Sequence, residues 1–517
     1  MAVTGAMRTT APDTPTRAAS TGGGSPRRSG GAKRWVSFAA GPVAGLTVFL
    51  VLPDGLAIDA QIAAGVGALM AVWWVSEAIP IPVTSLLPLA LFPTLGVADI
   101  SDTSAGYAAD GVIFLVLGGV MLGLATQRWN LHPRVALRTM LAVGTKPAQI
   151  VFGLMAASAF ISMWVSNTAT AVIMVPIGGS VLALLGSLDG GRPTPKLTAA
   201  VLLGIAYSVT IGSMATLIGQ PPMALMAAYL SEAHGISVGF AEWMLVGVPF
   251  AAIMLAIAWL VLTRIVFRSE VTEIPGGREL LREQLDGMGP LSSQERWVLV
   301  VFAAAAFAWI VLPLASVAPG VTDAAPWLEN IDDTSIAVLA AILMFVLPGS
   351  RADRTPLLDW STTRDVPWGV LLLLGGGLAL SAQFTDTGLS TWIGQQVSAL
   401  AGLPNIVLVA AAVLLVILLT ELTSNTATAA AFLPVMGAIA VGSGVDPLLM
   451  TVAVTLAVSC AFMLPVATPS NAVAFATGDL SIQSMVRAGI WLNLIGMILI
   501  IGALYTLVPL VFGVSVG

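Results

Sequence analysis

Charge is what this sequence has least of. Asp, Glu, Lys and Arg make up 9% of its 517 residues against 57% hydrophobic, whereas about a quarter of the residues of a soluble domain are charged. A water-soluble fold is excluded at that step, and a mean hydropathy of +0.94 makes membrane spans the unit to count. Cysteine is nearly absent as well. The single one, Cys460, has no partner for an intramolecular disulfide and reads as a small buried hydrophobe in an apolar run. With two His and one Cys there is no metal-ligand spacing. No Gly-rich loop cradles a phosphate and no motif pairs a nucleophile with a base, so an enzyme is not expected. Basic residues are outnumbered, 21 Lys and Arg to 27 Asp and Glu. A net charge of −6 offers no surface for neutralising phosphates, so no nucleic-acid partner is expected.

What is present is long apolar sequence. Residues 1–35, rich in Thr, Ser, Gly, Pro and Arg, read as a disordered cytoplasmic tail. Apolar stretches follow at 36–52, 61–79, 82–96, 111–127, 148–186, 197–229, 243–266, 297–317, 333–348, 367–384, 404–441, 447–477 and 485–512. The stretches 148–186 and 404–441 are about twice the ~20 residues that one span needs, and each has a polar cluster at its middle. Each is either two tight helices or a re-entrant hairpin.

Charge placement decides between the two. If both long stretches are re-entrant and the other eleven span, all 21 Lys and Arg fall on one side, while the opposite loops hold acids such as Asp99, Glu232, Asp332 and Asp446. Reading either long stretch as two spans scatters the basic residues. The expected fold is therefore an all-α polytopic membrane protein with 11 transmembrane helices and two re-entrant hairpins. It lies in the plasma membrane, with the N-terminus cytoplasmic and the C-terminus outside. Residues 36–266 hold the first span and a first repeat with hairpin 148–186, 267–296 form a cytoplasmic linker, and 297–517 form a second repeat with hairpin 404–441. The charged run Arg278–Glu283 has the pattern of a surface helix and reads as part of a solvated linker.

The repeat carries the chemistry. Ser162-Met163-Trp164-Val165-Ser166-Asn167-Thr168 and Thr420-Glu421-Leu422-Thr423-Ser424-Asn425-Thr426 nearly duplicate each other midway along the two long stretches. One hairpin enters from inside and the other from outside, so the repeats are expected to be inverted, the signature of secondary transporters. A break between half-helices in hydrocarbon leaves N–H and C=O groups without partners. Hydroxyl and amide donors at helix N-termini suit an anion, carbonyl oxygens suit a small hard cation, and Asn serves both. Two further breaks, Thr216-Leu217-Ile218-Gly219-Gln220-Pro221-Pro222-Met223 and Pro465-Val466-Ala467-Thr468-Pro469-Ser470-Asn471, interrupt 197–229 and 447–477. Proline removes an amide donor there, and unwound carbonyls are expected to face the tips.

These residues resemble the divalent anion/sodium symporter family, whose members carry dicarboxylates, citrate or sulfate. The similarity runs over about 36 to 512 and is most specific at the duplicated Ser-Asn-Thr and at Ser459–Asn471. The resemblance implies a homodimer in which a transport part moves against a fixed scaffold in elevator fashion. It implies one sodium site at Ser162, Asn167 and the backbone around Gly219, and a second at Thr420, Asn425 and the backbone around Ala467. Substrate is then expected between Asn167-Thr168 and Asn425-Thr426, with Gln220, Pro221, Thr468 and Pro469 close by. Two positions depart from the family pattern: Gln220 replaces a small or hydroxylated residue, and Met223 stands where Asn is frequent. A longer amide at the substrate wall would reshape the pocket.

No Lys, Arg or His is expected at this site, with His132 and His234 assigned to loops. A buried dianion is costly unless cations enter with it, which favours sodium symport of a divalent anion, most simply a C4-dicarboxylate, over exchange; proton coupling stays open, and a channel is the second class. Glu421, beside the second tip, is read as a hydrogen-bonding residue of the hairpin with a proton relay as the alternative, and Glu77 as a boundary residue at the end of a span.

Overall fold

The computed structural model describes residues 31–53, 55–108, 111–144, 146–188, 194–268, 277–316, 325–349, 355–397 and 404–514. Most of the expected tail, residues 1–30, lies outside them, as do Arg192, Arg351 and Arg354 of the basic loops.

The described residues form 22 α-helices and no strand. In chain order these are α1 (Gly31–Val51), α2 (Ile58–Ser76), α3 (Ile81–Thr84), α4 (Leu87–Thr94), α5 (Ile100–Ala105), α6 (Val112–Arg128), α7 (Leu131–Val143), α8 (Pro147–Ser162), α9 (Asn167–Leu188), α10 (Pro195–Ser213), α11 (Pro221–His234) and α12 (Phe240–Leu260). After them come α13 (Gly277–Gly287), α14 (Ser293–Ser316), α15 (Asp333–Val346), α16 (Trp368–Asp386), α17 (Leu389–Val397), α18 (Asn405–Thr420), α19 (Asn425–Ser443), α20 (Pro447–Val458), α21 (Pro469–Phe475) and α22 (Ile482–Phe512).

Seven of these helices are long and apolar enough to cross a membrane by themselves, and the pair α6–α7, bent by 76°, makes an eighth if taken together. The remaining apolar stretches are divided into shorter helices. Residues 82–96 split into α3 and α4 at Ser85-Leu86, with Pro88 in the first turn of α4, and 197–229 and 447–477 split at the two breaks.

Burial separates an inner from an outer set. α10 and α20 are apolar all round and sealed along almost their whole length, as expected of helices with neighbours on every side. α14 and α22 instead expose Phe307, Val300, Ile498 and Leu510, apolar side chains suited to lipid.

Three expectations need correction. The stretch 128–146, which falls between the expected apolar stretches 111–127 and 148–186 and so counts as a loop carrying Arg128, Arg134, Arg138 and Lys146, contains α7, bounded by Asn130 at φ 52 and Gly144 at φ 121. It is amphipathic and too short and charged to register as a span, but Leu131, Ala136, Leu137 and Met140 bury one face. The linker run Arg278–Glu283 is not solvated all round: it belongs to α13, which packs on α7 and buries Leu281. His132 and His234 are helical, the first sealed inside α7 and the second closing α11 with its ring 3.0 Å from the Tyr229 hydroxyl.

A buried ion pair holds α7 to α14. Arg134 Nε lies 3.1 Å from Glu295 Oε1, and its other nitrogens donate to the carbonyls of Gly289 (2.8 Å) and Met288 (3.2 Å). Glu295 Oε2 accepts the Ser292 amide at 2.6 Å. A pair this enclosed costs desolvation, so its removal as a unit is cheap, whereas loss of one partner strands a charge. Arg134→Met is expected to lower stability by about 3–5 kcal/mol. The double variant Arg134→Met, Glu295→Leu should recover most of the loss, as read by thermal unfolding of the purified protein.

Candidate functional site

The two duplicated segments fold into helix–turn–helix units with four-residue tips: 163–166 between α8 and α9, and 421–424 between α18 and α19. Asn167 and Asn425 are the first residues of α9 and α19, and Ser166 and Ser424 precede them as caps. Ser166 Oγ accepts the Ala169 amide at 3.4 Å. Each Ser-Asn-Thr therefore sits on a helix N-terminus, where first-turn amides lack helical partners and the dipole favours negative charge.

The breaks run from 214 to 220 and from 459 to 468. Pro221 and Pro469 open α11 and α21, a position that tolerates proline because its amide would be unpaired in any case. Packing across the site is reciprocal: α9 of the first pair lies on α21 beyond the second break, and α19 of the second lies on α11 beyond the first.

Each break is tied to its own tip, by different chemistry. The Thr216 hydroxyl donates to the Met163 carbonyl, and Trp243 Nε1 donates to Met214 O at 3.0 Å. Trp164 anchors the same tip among rings of α12 and α14, 5.0 Å from Phe302 and parallel to Trp309 at 6.4 Å. Gly219 presses against the end of α10, where a Cβ would fall 2.3 Å from the Ser213 carbonyl oxygen. The second tip uses a carboxylate. Glu421 accepts the amides of Phe462 (2.8 Å), Met463 (3.0 Å) and Leu464 (3.1 Å), and Nδ2 of Asn493 on α22 at 2.7 Å. α22 approaches this segment so closely at Gly489 that a Cβ would lie 2.5 Å from Phe462 O.

Uncharged oxygens collect behind both tips. Asn167 Oδ1 is sealed from solvent with no hydrogen-bond partner among the described residues, and the buried Ser162 hydroxyl donates to Ala159 O at 3.0 Å. At the second tip Thr420 Oγ1 lies 2.7 Å from Asn425 Oδ1 and 2.8 Å from Val458 O. Its single proton cannot serve both, so three oxygens converge with one donor among them. Such sets can hold a small hard cation. The Val458 carbonyl was not singled out from sequence. Its position as the last helical residue of α20, where carbonyls lose their partners, is the signal that points to it.

A cavity of about 1010 Å³ joins these parts. Asn167, Thr168, Gly219, Gln220, Pro221, Asn425, Thr426, Ala467, Thr468 and Pro469 all line it. Ser162 and Thr420 do not; both are fully buried behind the tips. Its far wall, which sequence reasoning missed, comes from α6 (Val116, Val120, Gln127), the end of α2 (Val75, Glu77) and Asp365. Glu77 ends α2 at φ 47 and borders the cavity in addition to closing the span. Among the described residues, no Lys, Arg or His lines it. Met223 is not a wall residue: it is sealed in the core, while its counterpart Asn471 laces the second break through Nδ2 to Ala461 O (3.3 Å) and Leu464 O (3.0 Å).

Beside Gln127, Arg128 pairs with Asp359 at 2.7 Å. The Ser361 hydroxyl and this guanidinium hold the Asp359 carboxyl down to about 2. Its stabilising share is thus complete above about pH 4 and is lost only as pH falls toward 2.

The family model described as the sodium:sulfate symporter transmembrane region matches residues 32–512. The chain is 39% identical over 476 residues to the sodium-dependent dicarboxylate transporter SdcS of Staphylococcus saprophyticus, covering 91% of this chain and 90% of the relative. It is 37% identical over 477 residues to the SdcS protein of Staphylococcus aureus, again covering 91% and 90%. Among solved structures, the YdaH transporter of Alcanivorax borkumensis aligns with a TM-score of 0.57 at 17% identity, over 83% of this chain and 90% of that one. MtrF of Neisseria gonorrhoeae aligns with a TM-score of 0.56 at 15% identity, over 84% and 96%. These two share the fold alone.

Proposed function

The chain belongs to the sodium:sulfate symporter family, and from that premise we propose that it is a plasma-membrane symporter that couples sodium entry to uptake of a C4-dicarboxylate. The observation that carries this reading is the chemistry of the cavity. Two Ser-Asn-Thr helix N-termini face one space bordered by no basic side chain, and oxygens with unfilled demands lie directly behind them. Donors at Thr168, Thr426 and the first-turn amides suit carboxylates, with Gln220, Pro221, Thr468 and Pro469 closing around the substrate. Two sodium ions are assigned to Ser162, Asn167 and the Gly219 backbone, and to Thr420, Asn425 and the Ala467 backbone. Their charge offsets the dianion, which in low dielectric would otherwise cost several kcal/mol.

The same proposal includes 11 spans, two re-entrant hairpins in an inverted repeat, and a homodimer that moves its transport part by an elevator step. Reciprocal packing of α9 on α21 and α19 on α11 supports the repeat. With basic residues on the cytoplasmic side, the N-terminus is cytoplasmic and the C-terminus outside.

Uptake of labelled succinate, malate, citrate and sulfate into proteoliposomes tests the reading. Accumulation of a dicarboxylate above equilibrium is expected only with an inward sodium gradient. Accumulation driven by a proton gradient alone, a strict need for internal dicarboxylate, or passive flux at channel rates would each overturn it.

A further inference from the structure

Gln220 stands where the two breaks meet, and its hydrogen bonding determines what it shows the cavity. Its side-chain amide reaches across to the Ser459 hydroxyl of the other break. Which end of an amide faces a partner is settled by the network around it. Ser459 has one proton, and its hydroxyl lies 3.0 Å from the Thr455 carbonyl. In an unbroken helix that carbonyl would receive the Ser459 amide, but the amide is turned to Leu456 O at 3.2 Å. The hydroxyl proton therefore goes to Thr455, and Ser459 can only accept. Gln220 must donate through Nε2, which leaves Oε1 pointing the other way. Among the described residues no donor reaches that oxygen, and it is not sealed, so it opens on the cavity that Gln220 lines.

An acceptor in a wall otherwise suited to anions repels a carboxylate and is satisfied only by a donor. A C4-dicarboxylate near neutral pH has both carboxyls ionised, since carboxyl groups ordinarily titrate well below 7; the donor must come from a substituent on its carbon chain. We propose that Gln220 is a specificity-determining residue that selects hydroxyl-bearing C4-dicarboxylates, such as malate, over unsubstituted ones such as succinate. The inference rests on the symport reading above. The corresponding residue of the second break, Thr468, turns its hydroxyl to the Asn471 amide and to Ser470, so the acceptor is a feature of one side of the site only.

The test is a pair of KM values for sodium-driven uptake into proteoliposomes. In the unaltered protein malate should have a KM about three- to tenfold below that of succinate, the worth of one hydrogen bond. Gln220→Ala should bring the ratio to near one. Ser459→Ala, which leaves the amide free to turn, should reduce it in the same direction without touching the cavity wall. Equal KM values in the unaltered protein, or a ratio that survives both substitutions, would overturn the inference. So would a Gln220→Ala variant whose sodium half-saturation shifts while the ratio stands, because Oε1 would then belong to the cation beside Gly219. If neither acid is accumulated under sodium, it is the proposed function that fails, and this inference falls with it.

Discussion

Asn167→Ala and Asn425→Ala are each expected to reduce sodium-driven uptake by at least about 100-fold, the equivalent of about 2.7 kcal/mol. Asn167 contributes an oxygen that is sealed and has no partner among the described residues, so none of them takes its place when the side chain is shortened. A cation that loses one oxygen ligand there binds more weakly, and without the cation the dianion enters an uncompensated low-dielectric site. On the proposed reading Asn425 has the same role, with one difference. Its Oδ1 already meets the Thr420 hydroxyl, which keeps a second acceptor in Val458 O, so Asn425→Ala leaves no orphaned donor and should fold normally. Uptake at fixed substrate with varied sodium is the measurement, with thermal unfolding as the control for folding. Retained uptake in both variants would remove these residues from the site.

Glu421→Ala is expected to be the most destabilising single change at the second tip. The carboxylate satisfies three consecutive amides of an unwound segment and the Asn493 side chain. Its loss strands four donors, of which the Phe462 amide and the Asn493 side chain are buried and cost about 1–3 kcal/mol each before relaxation, a large part of a typical folding free energy. Glu421→Gln separates position from charge. Its length is the same, but one end of the amide carries donors that face other donors, so the segment should loosen without unfolding. The expected result is a lower melting temperature and a sodium half-saturation raised about tenfold, because the Ala467 backbone lies a few residues along the same strand of unwound chain. A proton relay makes a different prediction: Glu421→Gln would abolish the pH dependence of uptake with sodium affinity intact.

Much of the site was legible because its chemistry is local. A Ser-Asn-Thr at the middle of an apolar stretch, or a Pro-Pro after Gly-Gln, announces a helix break with unfilled backbone groups wherever the chain later places it, since hydrocarbon offers no alternative partners. The all-helical membrane class was readable for the same reason, since apolar length is a sum over segments; the expected count of 11 spans and the sidedness of Lys and Arg belong to the proposal. α7 escaped because an amphipathic helix carrying Arg134 and Arg138 has neither the length nor the mean hydropathy of a span. The docking of α13 escaped because a charged helix looks solvated until the face it buries is known.

What the sequence by itself determined is which segments break, which polar groups they leave open, and that no basic side chain is at hand to neutralise an anion there. Only the tertiary structure decided how those groups are used. It brought Glu77, Gln127 and Asp365 to the far wall, withdrew Met223 into the core, and gave Glu421 the amides of a segment forty residues away. It also tied the Gln220 side-chain amide to a hydroxyl on the other break. The physical reason is that a hydrogen bond is allocated among all the donors and acceptors within reach, and reach across 239 residues is a property of packing, not of spacing along the chain.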